Sequence, residues 1–197
     1  MKTVNKNAVC NKFISEIEKT EKYIRRCTEV FSDDDLYLSY SYENAILMIY
    51  KSFEEFIIRI MVSCLNHDHS AFEEKHGIAL GRHINDDVCE FLITEGGDFD
   101  FRGYSGLLDM LKGTIGNDHT FVSTIKKERY KTCINKMCAA RNYAAHNSKQ
   151  SKNAVKKVFN AQSISSAGSF LKSARRMADI IESLKALADE VKAIDLY

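Results

Sequence analysis

Three polar residues near the end of one helical run have side chains that could perform acid-base chemistry on a phosphate ester: Arg141, Asn142 and His146. Histidine transfers protons well near neutral pH because its unperturbed pKa is about 6.5. Arginine stays charged, and its planar set of N–H donors matches the oxygens of a phosphoryl group. These residue types predict His146 as the acid-base residue and Arg141 as the group that stabilises charge in the transition state.

An ideal helix sets a geometric condition on this pair. Asn142 and His146 lie within roughly 40° of each other around the helix, so Asn142 can orient the imidazole. Arg141 and His146 differ by roughly 140°. They can share a cleft only if the helix loosens before His146 or if the long arginine side chain reaches around it. The alternative is a pair of cations placed favourably against the helix dipole.

Residues 138–147 resemble the RxxxxH signature of the HEPN superfamily, with a polar residue directly after the arginine. The RiboL-PSP-like branch is the candidate subgroup. The resemblance covers the long helices and implies an all-α, four-helix up-and-down bundle. It also implies a metal-independent endoribonuclease without a cofactor. Such an enzyme cleaves RNA by attack of the 2′-hydroxyl and leaves a 2′,3′-cyclic phosphate and a 5′-hydroxyl end.

The same resemblance implies partners and a biological role. HEPN domains commonly form homodimers in which two motifs face one another across a composite cleft. An active ribonuclease of this type is expected to be a toxin or an anti-phage defence effector, restrained by an antitoxin or a defence-system partner. In some HEPN toxins a tyrosine two residues beyond the histidine is modified by a nucleotidyltransferase antitoxin. Ser148 occupies that position here, so this mode of control is not expected. The rival interpretation is a non-catalytic HEPN adaptor for dimerisation or RNA binding.

A carboxylate on an earlier helix could support the motif, as a polar residue often does in that family. Glu54 is favoured over Glu55 because it flanks the apolar stripe centred on Phe53. Both glutamates could instead be exposed helix carboxylates, with Glu55 pairing with Lys51 or Arg59.

Charge is strongly segregated along the chain. Residues 29–100 carry 16 acidic and 4 basic side chains, whereas residues 126–157 carry ten basic ones and one acidic one. Although the net charge is only +1, a local excess of this kind attracts phosphate. We expect RNA contacts from Lys136, Tyr143, Lys149 and Lys152. The alternatives are a solvated helix face for the lysines and simple packing for Tyr143.

A metal site is the second chemical possibility, because six potential ligands fall within twenty residues: Cys64, His67, Asp68, His69, His76 and His83. Their spacing matches neither HExxH nor a pair of CxxC motifs. No metal is therefore expected. Glycine-rich phosphate loops and a serine nucleophile elbow are absent from the sequence as well.

Apolar periodicity predicts four long helices that must position these residues. They are expected at about 8–31, 42–65 with Ser41 as its cap, 121–146 and 169–196, with a polar stretch before the last. The region 66–118 is predicted to be an insertion of short helices. It should include a capping box at Ser70, a helix closed by Gly77, and pieces near 86–94 and 105–112. A short hairpin at 98–102 is the alternative there.

Length and composition support this organisation. The 197 residues suit one domain, and the absence of proline suits long helices. No apolar run is long enough to span a membrane, and the N-terminus lacks the apolar core of a signal peptide, so a cytoplasmic protein is expected. Six cysteines without disulfide-like spacing are predicted to be reduced packing residues.

Overall fold

The computed structural model describes residues 4–81 and 84–196, and every regular element in these two ranges is a helix. The all-α class predicted from the sequence is therefore confirmed. In chain order the helices are α1 (Lys6–Val30), α2 (Asp35–His67), α3 (Ser70–His76), α4 (Asp86–Thr94), α5 (Gly103–Ile115), α6 (Thr120–Ile125), α7 (Glu128–His146), α8 (Lys149–Phe159), α9 (Ala167–Lys172) and α10 (Arg176–Ala193). None of these is long and apolar enough to cross a bilayer.

The four longest helices pack in a ring around the core. Helix α1 lies against α2 and α10, and α7 lies against the other sides of α2 and α10. Apolar residues of all four helices join one buried cluster, in which the rings of Phe13 and Phe56 stack at 4.6 Å. Each buried side chain of this size contributes roughly 1.5–3 kcal/mol, so this cluster is the main source of stability.

Helix α2 is longer than the sequence analysis predicted. The side chain of Asp34 caps it by accepting a hydrogen bond from the Tyr37 amide at 3.1 Å. The prediction that Ser41 is the cap was wrong, because its hydroxyl donates to the Tyr37 carbonyl at 2.9 Å inside the helix. The first two turns expose Leu36, Tyr37 and Tyr40, so their sequence lacks a buried stripe that would have predicted them.

Two predicted long helices are each divided in two. The third is interrupted at Lys126 and Lys127, where the Lys127 side chain turns to the carboxylate of Glu190 on α10. The fourth is interrupted at 173–175, where Ala174 and Arg175 have φ values of 52° and 57°. A contact between elements distant in sequence accompanies the first break, whereas hydrogen bonds of Arg176 with Phe170 and Ser173 accompany the second. Apolar periodicity records neither.

Helix α8 replaces the polar stretch predicted before the last helix. Ser148 and Ser151 form a reciprocal capping box at its start, which is a local signal that the sequence analysis missed. Only Asn147 and Ser148 separate α8 from α7, so the two helices form a tight hairpin.

The region 66–118 contains α3, α4 and α5, as predicted, and α4 matches its expected bounds. No strand occurs in the described ranges, so the alternative hairpin at 98–102 is wrong. The predicted capping box at Ser70 is also wrong. Ser70 lies inside α3, and the Glu73 carboxylate accepts a hydrogen bond from the Leu80 amide instead. Gly77 does close α3, with a φ of 64°.

Helix α9 approaches α2 very closely at one glycine. A Cβ atom on Gly168 would collide with the carbonyl oxygen of Ser39. The Gly168 amide donates to the Glu43 carboxylate on α2 at 3.1 Å. The contact therefore requires both the missing side chain and the carboxylate.

Candidate active site

Helix α7 carries the predicted motif without a break. It stays helical through His146 and ends at Asn147, which has a left-handed φ of 43°. The helix does not loosen before His146, so the first of the two routes by which Arg141 and His146 could share a cleft is closed. Their Cα atoms are separated by a rise of roughly 7.5 Å along the helix.

The Arg141 guanidinium is held by groups on two helices. Its Cζ atom lies 4.5 Å from the centroid of the Tyr50 ring on α2, a cation–π contact. Its Nη1 atom donates to the Asn142 Oδ1 atom at 2.9 Å. The side chain is thus drawn along α7 toward Asn142, which is one turn before His146. The guanidinium contacts Asn142, the residue that shares a face of the helix with His146, and the second route, in which the arginine reaches His146 itself, stays a prediction.

Glu54 lies beside this arginine and is half-buried. Burial raises the pKa of the Glu54 carboxyl, and the nearby Asp100 carboxylate adds to the rise. The positive charge of Arg141 and the neighbouring Tyr50 hydroxyl oppose it. Glu55 belongs elsewhere, because its carboxylate pairs with Arg59 at 3.0 Å and Lys12 at 3.5 Å. Glu55 thus pairs with Arg59, which was the alternative for that residue in the sequence analysis, and the supporting role of Glu54 stays a prediction.

His146 differs from Arg141 in being exposed and unengaged. No hydrogen bond, ion pair or ring contact joins its imidazole to any residue in the described ranges. Asn142 and Ala145 are exposed beside it, so an open strip of α7 runs between His146 and the edge where Arg141 reaches Asn142. A phosphate lying on this strip would have an imidazole at one end and a guanidinium at the other.

The four predicted RNA-contacting residues are not all on one surface. Lys149 and Lys152 occupy the first turn of α8, directly after His146. Lys136 is on another face of α7, with its ammonium 5.2 Å from the centroid of the Phe159 ring. Tyr143 is only 2% exposed, and its hydroxyl donates to the Ser165 carbonyl at 2.7 Å. The structure places Tyr143 in the core, so packing and not base contact describes its ring.

The basic segment also divides. Lys127 and Arg129 at the start of α7 pair with Glu190 on α10, and Lys131 pairs with Glu128. The lysines of α8 make no ion pair within the described part of the chain: Lys149, Lys152, Lys156 and Lys157. Of the seven basic side chains of this segment that make no ion pair with a described residue, four are therefore on α8, and among these four Lys149 and Lys152 at its start are the two nearest to His146 in sequence.

The potential metal ligands of the sequence analysis are dispersed. His83 lies outside the described residues, and Cys64, His67 and Asp68 line a cavity of about 360 Å³ together with His119. Both ring nitrogens of His119 already have backbone partners, the Phe121 amide and the Leu196 carbonyl. Where the chain is described, no group of three or more His, Cys, Asp or Glu side chains is arranged to hold a metal ion.

The cysteines are free thiols, as predicted, and five of the six are buried. Cys138, one turn before the motif, is the closest to it in sequence. Burial raises the pKa of its thiol to about 12, which fits the predicted role of a packing residue.

Sequence analysis missed Tyr50 and Asp100 as components of the site. Tyr50 is four residues before Glu54 and therefore lies above it on the same face of α2, a spacing that could have indicated it. Asp100 comes from the connection between α4 and α5, and only the folded chain brings it near Glu54.

The chain was compared with known proteins at three levels. No protein-family model, no curated protein and no solved structure matches the chain.

Proposed function

We propose that this protein is a metal-independent endoribonuclease of HEPN type. The single observation that carries the proposal is the open strip of α7, which has the anchored Arg141 guanidinium at one edge and the exposed His146 imidazole at the other. The two groups supply charge stabilisation and proton transfer, which cleavage of RNA requires.

The reaction follows from these two roles. His146 takes the proton from the 2′-hydroxyl, and the 2′-oxygen forms its bond to the adjacent phosphorus as the bond to the 5′-oxygen breaks. The departing 5′-oxygen receives a proton from the imidazolium or from water and becomes the 5′-hydroxyl. Arg141 stabilises the negative charge that accumulates on the phosphoryl oxygens. The Tyr50 ring and Asn142 hold the arginine, and the Glu54 carboxylate lies nearby. The products are a 2′,3′-cyclic phosphate and a 5′-hydroxyl end, and no metal or cofactor takes part.

The free lysines of α8 suit the substrate. Lys149 and Lys152 lie at the start of α8, just after the loop that follows His146. There they can bind phosphates on the same RNA strand. The arrangement of four long helices in a ring supports the HEPN-like bundle. A second copy of the chain, with its own motif facing the first, would bring more of these groups into one cleft.

The direct test is cleavage of total RNA in the presence of EDTA, with mapping of the new ends. Wild type should produce cyclic phosphate and 5′-hydroxyl ends, whereas Arg141→Ala and His146→Ala should not. Matched controls are Arg26→Ala and His76→Ala, which remove an exposed arginine and an exposed histidine outside α7. Cleavage by His146→Ala at the wild-type rate would overturn the proposal.

Two further measurements address the cellular role and the assembly. If the protein is a cytoplasmic toxin or defence effector, expression should arrest growth, and His146→Ala should relieve the arrest. Restraint by an antitoxin or another defence protein would follow from that activity. Analytical ultracentrifugation should show a homodimer at micromolar concentration. A monomer would remove the composite cleft from the proposal.

The second candidate is a non-catalytic adaptor that binds RNA. The observation that favours it is the number of partners of Arg141, since a guanidinium held by a ring and an amide resembles a structural cation. In that case wild type, Arg141→Ala and His146→Ala would be equally inactive and would retain RNA binding.

A further inference from the structure

The connection between α4 and α5, residues 95–102, packs against the same part of α2 that supports Arg141. Phe101 in this connection is only 2% exposed. Its ring centroid lies 5.5 Å from that of Tyr50 and 5.9 Å from that of Phe53, the latter in an edge-on arrangement. Phe99 packs on Phe101 at 6.1 Å. A segment from the region 66–118 is thereby fixed to the core beside the candidate site.

Tyr50 contacts both the connection 95–102 and the Arg141 guanidinium. Its ring contacts Phe101 of the connection and lies under the Arg141 guanidinium. Its hydroxyl, which is buried with the ring, donates to the Phe101 carbonyl at 3.4 Å. The location of the Tyr50 ring therefore depends on the connection, and the location of the guanidinium depends on the Tyr50 ring.

We infer that residues 95–102 position the Arg141 guanidinium through Tyr50, which makes Tyr50 a positioning residue of the candidate site. The purpose of this positioning rests on the proposed function. The region 66–118 thereby contributes to the site, because it supplies Phe101 and places Asp100 near Glu54. A small displacement of a charge-stabilising group lowers the rate strongly, so an aromatic clamp on a flexible arginine has a large effect.

The test uses two substitutions that separate the ring of Tyr50 from its hydroxyl. Tyr50→Phe keeps the ring under Arg141 and removes the hydrogen bond to Phe101, whereas Tyr50→Leu removes the ring. Phe13→Leu is the matched control, since Phe13 is buried to a similar degree in the same core and its ring packs on Phe53 and Phe56 instead of on Arg141. Phe101→Leu tests the connection itself.

The first readout does not depend on activity. The Nε–Hε NMR signal of Arg141, identified by its loss in Arg141→Lys, should be shifted by the ring current of Tyr50. We expect the shift to persist in Tyr50→Phe and Phe13→Leu, to decrease in Phe101→Leu, and to disappear in Tyr50→Leu. An Arg141 signal that is unchanged in Tyr50→Leu would overturn the inference.

The second readout is the steady-state cleavage of a short RNA. Tyr50→Leu should lower kcat by roughly 10- to 100-fold with little change in KM, and Tyr50→Phe should lower it less than Tyr50→Leu does. Phe13→Leu should stay within about threefold of wild type. If Phe13→Leu lowers kcat as much as Tyr50→Leu, general destabilisation explains the loss and the inference fails. If wild type cleaves no RNA, the proposed function fails, and the NMR signal still decides whether Tyr50 positions Arg141.

Discussion

The two ends of the motif on α7 are held in different ways. Arg141 faces α2, where a ring and an amide fix its guanidinium beside a carboxylate. His146 lies at the end of the helix and contacts no partner in the part of the chain that the structure describes. The difference suits the two proposed roles, because charge stabilisation requires a fixed position and proton transfer requires access to substrate. It also means that the two residues should respond differently to substitution.

Removal of the motif residues should have the largest effect. His146→Ala should lower kcat by roughly 10²- to 10⁴-fold and leave the free energy of unfolding within about 0.5 kcal/mol of wild type, because the imidazole is exposed. Arg141→Ala should abolish cleavage and also lower the free energy of unfolding by about 1 kcal/mol, because it removes the cation–π interaction with Tyr50. Cleavage assays and urea denaturation check both statements. If the two substitutions lower the free energy of unfolding equally, the difference between an anchored Arg141 and an unengaged His146 is contradicted.

Tyr143 lies between these two residues in sequence, but its substitution should affect stability and not cleavage. Tyr143→Phe removes the hydroxyl that donates to the Ser165 carbonyl and should lower the free energy of unfolding by about 1 kcal/mol. Cleavage at saturating RNA should remain, because the ring does not reach the surface. If Tyr143→Phe binds RNA more weakly than wild type at unchanged stability, Tyr143 contacts RNA, as the sequence predicted, and the packing role is wrong.

The free lysines beside His146 should affect binding more than chemistry. The double substitution Lys149→Gln, Lys152→Gln should raise KM several-fold. It should also reduce the slope of log affinity against log salt concentration by roughly 0.7 for each phosphate that is no longer neutralised. The matched control is Lys19→Gln with Lys22→Gln, two exposed lysines on α1. Binding measured by fluorescence anisotropy at several salt concentrations distinguishes the pairs, and equal salt slopes would exclude α8 from the RNA path.

Glu54 should give the smallest effect, visible as a pH dependence. Because burial raises its pKa in the folded state above the ordinary value of 4.5, the folded state binds this proton more readily than the unfolded state. Wild type should therefore gain stability relative to Glu54→Gln below pH 4.5 and lose that gain as pH rises through the folded pKa. Urea denaturation of both proteins at pH 4.5 and pH 7 measures the change. The opposite sign would mean that Arg141 outweighs burial at this carboxylate.

Local patterns predicted much of the fold and part of the site. The apolar stripes of α1, α2 and α7 are periodic, so the helices that carry Glu54 and the motif could be located from sequence. Residues Arg141, Asn142 and His146 were selected by the chemistry of their side chains and by the resemblance to the RxxxxH signature, since the spacing of an arginine and a histidine is not specific by itself. The start of α2 at Asp35 was missed because its first turns are exposed and lack a buried stripe.

The remaining features depend on contacts between distant parts of the chain. The break before α7 is accompanied by ion pairs of Lys127 and Arg129 with Glu190, about sixty residues away. The break before α10 is an exception, because it coincides with a local hydrogen bond from Arg176 to the Phe170 carbonyl at 2.8 Å, which apolar periodicity does not report either. Phe101 and Asp100 reach the site only after the region 66–118 has packed on α2. No periodicity in the sequence reports these distances, so the surroundings of Arg141 could not be predicted.

The contact of α9 with α2 bears on how distant relatives could be identified. Since any side chain at position 168 would collide with the backbone at Ser39, a chain with the same architecture must have glycine there, together with an acceptor such as Glu43 opposite it. A search that requires this glycine and carboxylate in addition to the arginine and histidine of α7 would reject the many unrelated sequences in which those two residues are five apart by chance.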